Sequence, residues 1–167
     1  MLTILAKWWA KKSYIFKQEV EAATNDLHAG LSLRLVGEKR ALIEQLNKDA
    51  ADIEANIKAV DDKLARGYWE CECGKENIVA PAVPQAEGHR ISCECGKPMR
   101  LISLATMTGQ EKYESDKERS EAQKIAENKR ATAKAEQENA EGSEKAAKYF
   151  QGLAANNRQV ADKIRSL

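Results

Sequence analysis

From about Tyr14 to Arg66 apolar side chains recur in a 3-4 rhythm, with Val36, Ile43, Ala50, Ile57 and Leu64 on one row and Leu46, Ile53 and Val60 on the other. This spacing predicts one long helix with a coiled-coil seam. Glu, Lys, Gln, Asp and Asn fill the outward positions, and no proline interrupts the run. The passage from Gly30 to Gly37 departs from the rhythm, because Leu31, Leu33 and Leu35 alternate with polar residues as in a strand. Leucine favours helix and Val36 is the only β-branched residue there, so a weakened helix is expected, with a strand as the alternative.

A second periodic segment runs from about Met107 to Ser166. Ala126, Ala133, Ala140, Ala147, Ala154 and Ala161 recur every seven residues and so share one stripe of a slightly supercoiled helix. Small side chains on that stripe let another helix come close. Large residues join them late, at Phe150, Leu153, Val160, Ile164 and Leu167. The two segments fit as an antiparallel pair in which facing residues have numbers summing to about 173. Leu46 then meets Ala126, Glu19 meets Ala154, and Phe16 and Val20 meet Leu153. The alternative is that the first helix pairs with its copy in a homo-oligomer.

The expected fold class is therefore mainly α, a long antiparallel coiled-coil hairpin with a small β zinc ribbon inserted at its tip. Residues 1–13 form a basic aromatic N-terminal segment, 14–66 the first coiled-coil helix, 67–106 the ribbon and 107–167 the alanine-rich second helix. Composition agrees with an elongated object, since 32% of residues are charged and only 5% are aromatic.

Net charge is +1, so an electrostatic attraction to other molecules must come from a local patch. One lies at the start, where Lys7, Lys11, Lys12 and Lys17 precede any acidic residue and alternate with Trp8, Trp9, Tyr14 and Phe16. It has neither the uninterrupted apolar stretch nor the cleavage site of a secretory signal, and no segment approaches the roughly 18 apolar residues of a membrane span. The expected location is cytoplasmic. Two readings of Trp8, Trp9, Lys11 and Lys12 remain: packing against Ile164 and Leu167 at the hairpin base, or attachment to a membrane surface together with Leu2, Ile4 and Leu5.

The four cysteines are divided between two copies of one pentapeptide, CECGK, at Cys71 to Lys75 and Cys93 to Lys97. In a reducing compartment such pairs point to metal, and Zn²⁺ takes four thiolates tetrahedrally, so Cys71, Cys73, Cys93 and Cys95 are the expected ligands of one structural zinc. A redox dithiol and metal-free structural cysteines are the alternatives, and His89 is a substitute ligand. Glycine after each second cysteine suits a knuckle turn whose backbone N–H groups face the sulfurs. Ile78 and Val79, His89 to Ser92, and Leu101, Ile102 and Leu104 are candidate strands.

These features resemble zinc ribbons. Trp69 two residues before Cys71, and Asn77 four after Cys73, are similar to the first half of the Ran-binding-protein-2 type zinc finger over about forty residues, although both pairs here have a single intervening residue. The resemblance implies Trp69 and Asn77 as partner-contact positions. The alternative for Trp69 is cover for the small ribbon core. From Tyr68 to Ala105 five acids outnumber four bases, and a zinc with four thiolates adds two negative charges, which argues against a nucleic-acid partner. Only His28 and His89 are present as histidines, no phosphate loop occurs, and four thiolates leave the metal no open position. The expectation is a non-enzymatic scaffold or adaptor that binds a protein partner. Peripheral membrane attachment and nucleic-acid binding through the ribbon are the alternatives.

Overall fold

The computed structural model describes residues 2–77 and 92–166. Its elements are α1 (Leu2–Arg66), β1 (Tyr68–Glu70), β2 (Glu76–Asn77), β3 (Arg100–Ile102) and α2 (Gly109–Ser166). The protein is mainly α, and its two long helices run antiparallel with a small sheet between them in sequence. It divides into a terminal unit, Met1–Leu46 with Ala131–Leu167, and a ribbon unit, Asn47–Arg130.

In the terminal unit the alanine stripe does what its period implies. Ala133, Ala140, Ala147, Ala154 and Ala161 are all buried, facing Ala22, Ala29 and Val36 from α1. A methyl group is the largest side chain most of these positions carry, so the backbones approach closely and dispersion contacts replace bulky knobs. Ion pairs flank the seam: Lys39 with Glu136 at 2.5 Å, Arg40 with Glu144 at 3.3 Å, Arg158 with Asp26 and Arg165 with Glu19. The passage from Gly30 to Gly37 is helix throughout. Of its apolar residues only Val36 is buried, while Leu31, Leu33 and Leu35 are exposed. Helix makes all its hydrogen bonds within itself, whereas a strand here would need a partner, and among the described residues there is none. The basic aromatic segment is likewise the beginning of α1.

The ribbon unit carries Ala50, Leu64 and Ala126 in its buried seam, with Lys129 on Asp49 at 2.7 Å and Arg130 gripping Glu54 through two bonds of 3.0 and 2.7 Å. Val60 does not join them. It is 52% exposed, and Asp61, half-buried, takes the seam position and pairs with Arg119. A phase slip of one residue between Ile57 and Leu64 exchanges an apolar contact for an ion pair.

In both units facing residues have numbers summing to about 180, one heptad beyond the expected 173. Glu19 pairs with Arg165 and is not beside Ala154, and Phe16 is exposed instead of covering Leu153, whereas Val20 and Leu153 do line one shallow pocket as expected. The cause lies between the ribbon and α2. β1 pairs with β3 through Tyr68 opposite Ile102 and Trp69 opposite Leu101, so the chain returns level with its exit. It then spends residues 103–108 in a compact turn. There the Ser103 N–H donates to Thr106 Oγ1 at 2.9 Å, and that hydroxyl donates to the Leu101 carbonyl at 2.9 Å. These residues consume sequence without advancing along the helix axis, and this delays α2.

Both helix ends that face the ribbon are capped. The Gly67 N–H donates to the Lys63 carbonyl at 2.9 Å, closing α1. At the start of α2 the Thr108 N–H donates to Glu111 at 2.7 Å and the Glu111 N–H donates to Thr108 Oγ1 at 3.3 Å, a reciprocal capping box.

Candidate metal centre

The strand order is β2-β1-β3, with β1 antiparallel to both neighbours. The last residue of β1, Glu70, delivers the chain into the first knuckle, and the pairing of Glu70 with Glu76 closes it. Inside, the Cys71 N–H donates to the Lys75 carbonyl at 3.0 Å and the Gly74 N–H donates to the Cys71 carbonyl at 2.8 Å. The second knuckle repeats this bond for bond. The Cys93 N–H donates to the Lys97 carbonyl at 2.9 Å, the Gly96 N–H donates to the Cys93 carbonyl at 2.8 Å, and Ser92 bridges Pro98 at the equivalent offset. Gly74 at φ 82° and Gly96 at φ 81° occupy the left-handed region that other L residues enter only at a cost. Identical pentapeptides thus adopt identical turns.

The knuckles bring all four sulfur atoms within 4.8 Å of one another. Cys71 Sγ lies 3.5 Å from Cys95 Sγ, and Cys73 Sγ lies 3.6 Å from Cys93 Sγ. A disulfide requires about 2.05 Å, so neither contact is one. Tetrahedral Zn–S bonds of about 2.3 Å would place sulfurs about 3.8 Å apart, close to what is found. Cys71 and Cys93 are buried, whereas Cys73 and Cys95 are exposed.

The electrostatics of the thiols also fit a cation. The Lys75 N–H directed at Cys73, helped by the Cys71 and Cys93 thiols, lowers the Cys73 pKa to about 7. Cys71 moves the other way, to about 12: the Cys73 N–H pulls it down, but burial and three adjacent thiols outweigh that pull. Cys93 is raised as well: the Cys95 N–H and the Cys71 thiol pull it down, but burial and the Cys95 and Cys73 thiols outweigh them. Cys73 is ready to ionise while Cys71 and Cys93 resist a second negative charge. A divalent cation held by Cys71, Cys73, Cys93 and Cys95 would remove that resistance and let all four bind as thiolates. The residues present therefore fit a four-thiolate metal site, a donor set compatible with zinc.

Around the sulfurs the duplicated motif pairs with itself. Lys75 of the first knuckle reaches Glu94 of the second at 2.5 Å, and Lys97 of the second reaches Glu72 of the first at 3.0 Å. The glutamate inside each CECGK thus receives the lysine that ends the other. Sequence reasoning missed this cross-pairing, although the duplicated pentapeptide was its signal. Both pairs are exposed, so they align the knuckles more than they stabilise them.

Trp69 and Asn77 are brought together as partners across the β1–β2 ladder, with Trp69 half-buried. The Asn77 side chain, the expected strand at Ile78 and Val79, and His89 lie outside the described residues. Of the third candidate strand, Leu101 and Ile102 are in β3, while Leu104 follows it in the turn. His28 is far along α1 in the terminal unit, edge-on to Phe150 at 5.1 Å between ring centres. At the start of α1, Lys11 Nζ donates to the Arg165 carbonyl at 3.4 Å and Lys12 Nζ sits 4.3 Å over the Trp8 ring. Trp8 and Trp9 stand edge to face with each other and are both exposed, while Leu167, one of their expected packing partners, lies outside the described residues. No helix among the described residues is long and apolar enough to cross a membrane. Comparison with protein-family models, with curated proteins and with solved structures finds no match to this chain.

Proposed function

We propose that this chain is a non-enzymatic adaptor in which a structural zinc closes the ribbon so that the ribbon unit presents a protein-binding surface. Four thiolates fill a tetrahedral coordination sphere, which leaves the metal no position for substrate or water. Its contribution is folding free energy for a module too small to fold on a hydrophobic core.

The observation that carries the reading is an exposed apolar groove of ≈ 330 Å³ in the ribbon unit, lined by Ile53, Ile57, Val60 and Ala122 and edged by the Asp61–Arg119 ion pair. Val60 is an apolar side chain that the seam has excluded, and its exposure gives a partner something to cover. Trp69, half-buried in β1, and Asn77 are the ribbon positions proposed to extend the contact. Glutamates at positions 70, 72, 76 and 94 make this part of the surface a poor fit to phosphate and a better one to protein.

The test is affinity capture from lysate by zinc-loaded protein, with Val60→Glu and Trp69→Ala in parallel. Val60→Glu changes an exposed residue, so its melting temperature should match the parent. The reading predicts a partner retained by the parent and lost from Val60→Glu. Capture that is identical with both proteins rejects the groove as the docking surface.

A further inference from the structure

A second exposed apolar surface runs along α1 of the terminal unit, and its period differs from that of the seam. Trp9, Val20, Leu31 and Leu42 are spaced by eleven residues and are all exposed. Leu5, Phe16 and Leu27, each four residues before a member of the first row, repeat at the same interval and are also exposed. The fractions are large: 67% for Trp9 and Phe16 and 62% for Leu27. Ala22, Ala29 and Val36 in the buried seam instead repeat every seven.

The difference in period identifies the shape of what would cover the stripe. A third helix joining the coil would wind with it and meet residues at the seven-residue period, about 3.5 per turn. The stripe has about 3.67 residues per turn, so it slides across the outer heptad positions from Trp9 to Leu42. Within a left-handed coil, side chains facing one fixed direction in space recur at about 3.6 per turn, because the supercoil's own rotation subtracts from the helix's. An eleven-residue stripe therefore faces a flat surface along its length. Charge gives that surface its sign. Residues 2–18 contain Lys7, Lys11, Lys12 and Lys17 and no acid, and Lys12 and Lys17 flank the stripe. The acids along this part of α1 are engaged: Glu19 by Arg165, Glu21 by Lys17 at 3.9 Å, Asp26 by Arg158, and Glu38, which follows Leu27 at the same eleven-residue interval and ends that apolar row, by Arg34 at 3.0 Å.

We infer that the outer face of α1 from Leu5 to Leu31 docks on an anionic lipid bilayer, with Trp9, Phe16, Leu27 and Leu31 entering the headgroup boundary and the flanking Lys12 and Lys17 contacting the anionic headgroups. The indole rings suit that boundary, and the lysine stems reach around the helix to it. This docking is independent of the groove in the ribbon unit. If both hold, the chain would link a membrane surface to a protein partner.

The experiment is co-sedimentation of zinc-loaded full-length protein with phosphatidylcholine vesicles containing about 30% phosphatidylserine, with vesicles of phosphatidylcholine alone, and with the anionic vesicles in high salt. The parent should sediment with the anionic vesicles, much less with the neutral ones, and less as salt rises. Leu27→Glu with Leu31→Glu should weaken binding by about tenfold or more. Leu33→Glu, also exposed at 46% but off the stripe, should leave it unchanged. Because all three positions are exposed, melting temperatures should agree among the variants. Failure of the parent to bind anionic vesicles overturns the inference, as does equal loss from Leu33→Glu and from the stripe pair. Should sedimentation equilibrium show a dimer that the stripe pair dissolves, with no vesicle binding, a second copy covers the face and the bilayer is rejected.

Discussion

Replacing glycine by alanine at four positions should have effects of opposite sign, set by backbone conformation alone. Gly30 and Gly37 lie inside α1, and a Cβ built on either meets no atom within 4 Å. Alanine there introduces no clash and removes the entropy that glycine loses on entering a helix, a gain of about 0.8–1 kcal/mol each. For a chain of this length about 1 kcal/mol moves the melting temperature by about 2–4 °C, so the double variant should melt about 4–8 °C higher. Gly74 and Gly96 are just as open to an added Cβ, but their φ values are 82° and 81°. Alanine in the left-handed region costs roughly 1–2 kcal/mol. Where metal binding is coupled to closure of the knuckle, that cost appears in zinc affinity, about tenfold for each substitution. Asparagine tolerates the left-handed region better, so Gly74→Asn should lose less than Gly74→Ala. Melting followed by circular dichroism tests the helix pair, and competition against a zinc-binding dye tests the knuckles. If Gly30→Ala lowers the melting temperature, the continuous helix through residues 31–36 is refuted. If Gly96→Ala binds zinc as tightly as the parent, the knuckle geometry is.

The protein should bind one zinc per chain through Cys71, Cys73, Cys93 and Cys95. X-ray absorption should show four sulfurs, and chelation should unfold the ribbon while most helical signal persists. Because Cys71 resists ionisation up to about 12 without a cation, metal must displace protons, and affinity should fall as pH is lowered through the Cys73 pKa of about 7; potentiometric titration with and without zinc would show the released protons. In the register found here Leu46→Cys with Ala133→Cys should form an intrachain crosslink more readily than Leu46→Cys with Ala126→Cys; the reverse order would restore the 173 register. Glu111, held to about 2 by the Thr108 N–H and by the Arg100 guanidinium, has a folded pKa below the usual 4.5. Its stabilisation is present above about 4.5 and lost as pH falls towards about 2, so hydrogen exchange in the first turn of α2 should accelerate over that range. Glu111→Gln should remove most of this pH dependence.

What the sequence determined by itself is what local chemistry and period determine. Alanine every seven residues from Ala126 to Ala161 specifies which face of α2 is buried, because no other residue in that stretch recurs in phase with a close-packed seam. Two CECGK copies specify two like knuckle turns and the four cysteines they carry, because each turn is built within five residues and needs nothing distant. The helical state of residues 31–36 was equally legible once leucine's propensity outweighed the alternating pattern.

The tertiary structure decided whatever depends on how many residues a connection uses and where the chain is pointing afterwards. The register near 180 follows from the Ser103–Thr108 turn, whose hydroxyl-to-backbone bonds store sequence without advancing the helix, and no periodicity in α1 or α2 encodes that length. The slip that exposes Val60 and seats Asp61 opposite Arg119 depends on that register too. The exposure of Trp9, Phe16 and Leu27 is likewise a tertiary outcome. An eleven-residue row is written in the sequence, but only pairing of α1 with α2 on the other face leaves it uncovered. Period tells which residues share a face, whereas the partner chosen for one face determines which other face remains for a surface outside the molecule.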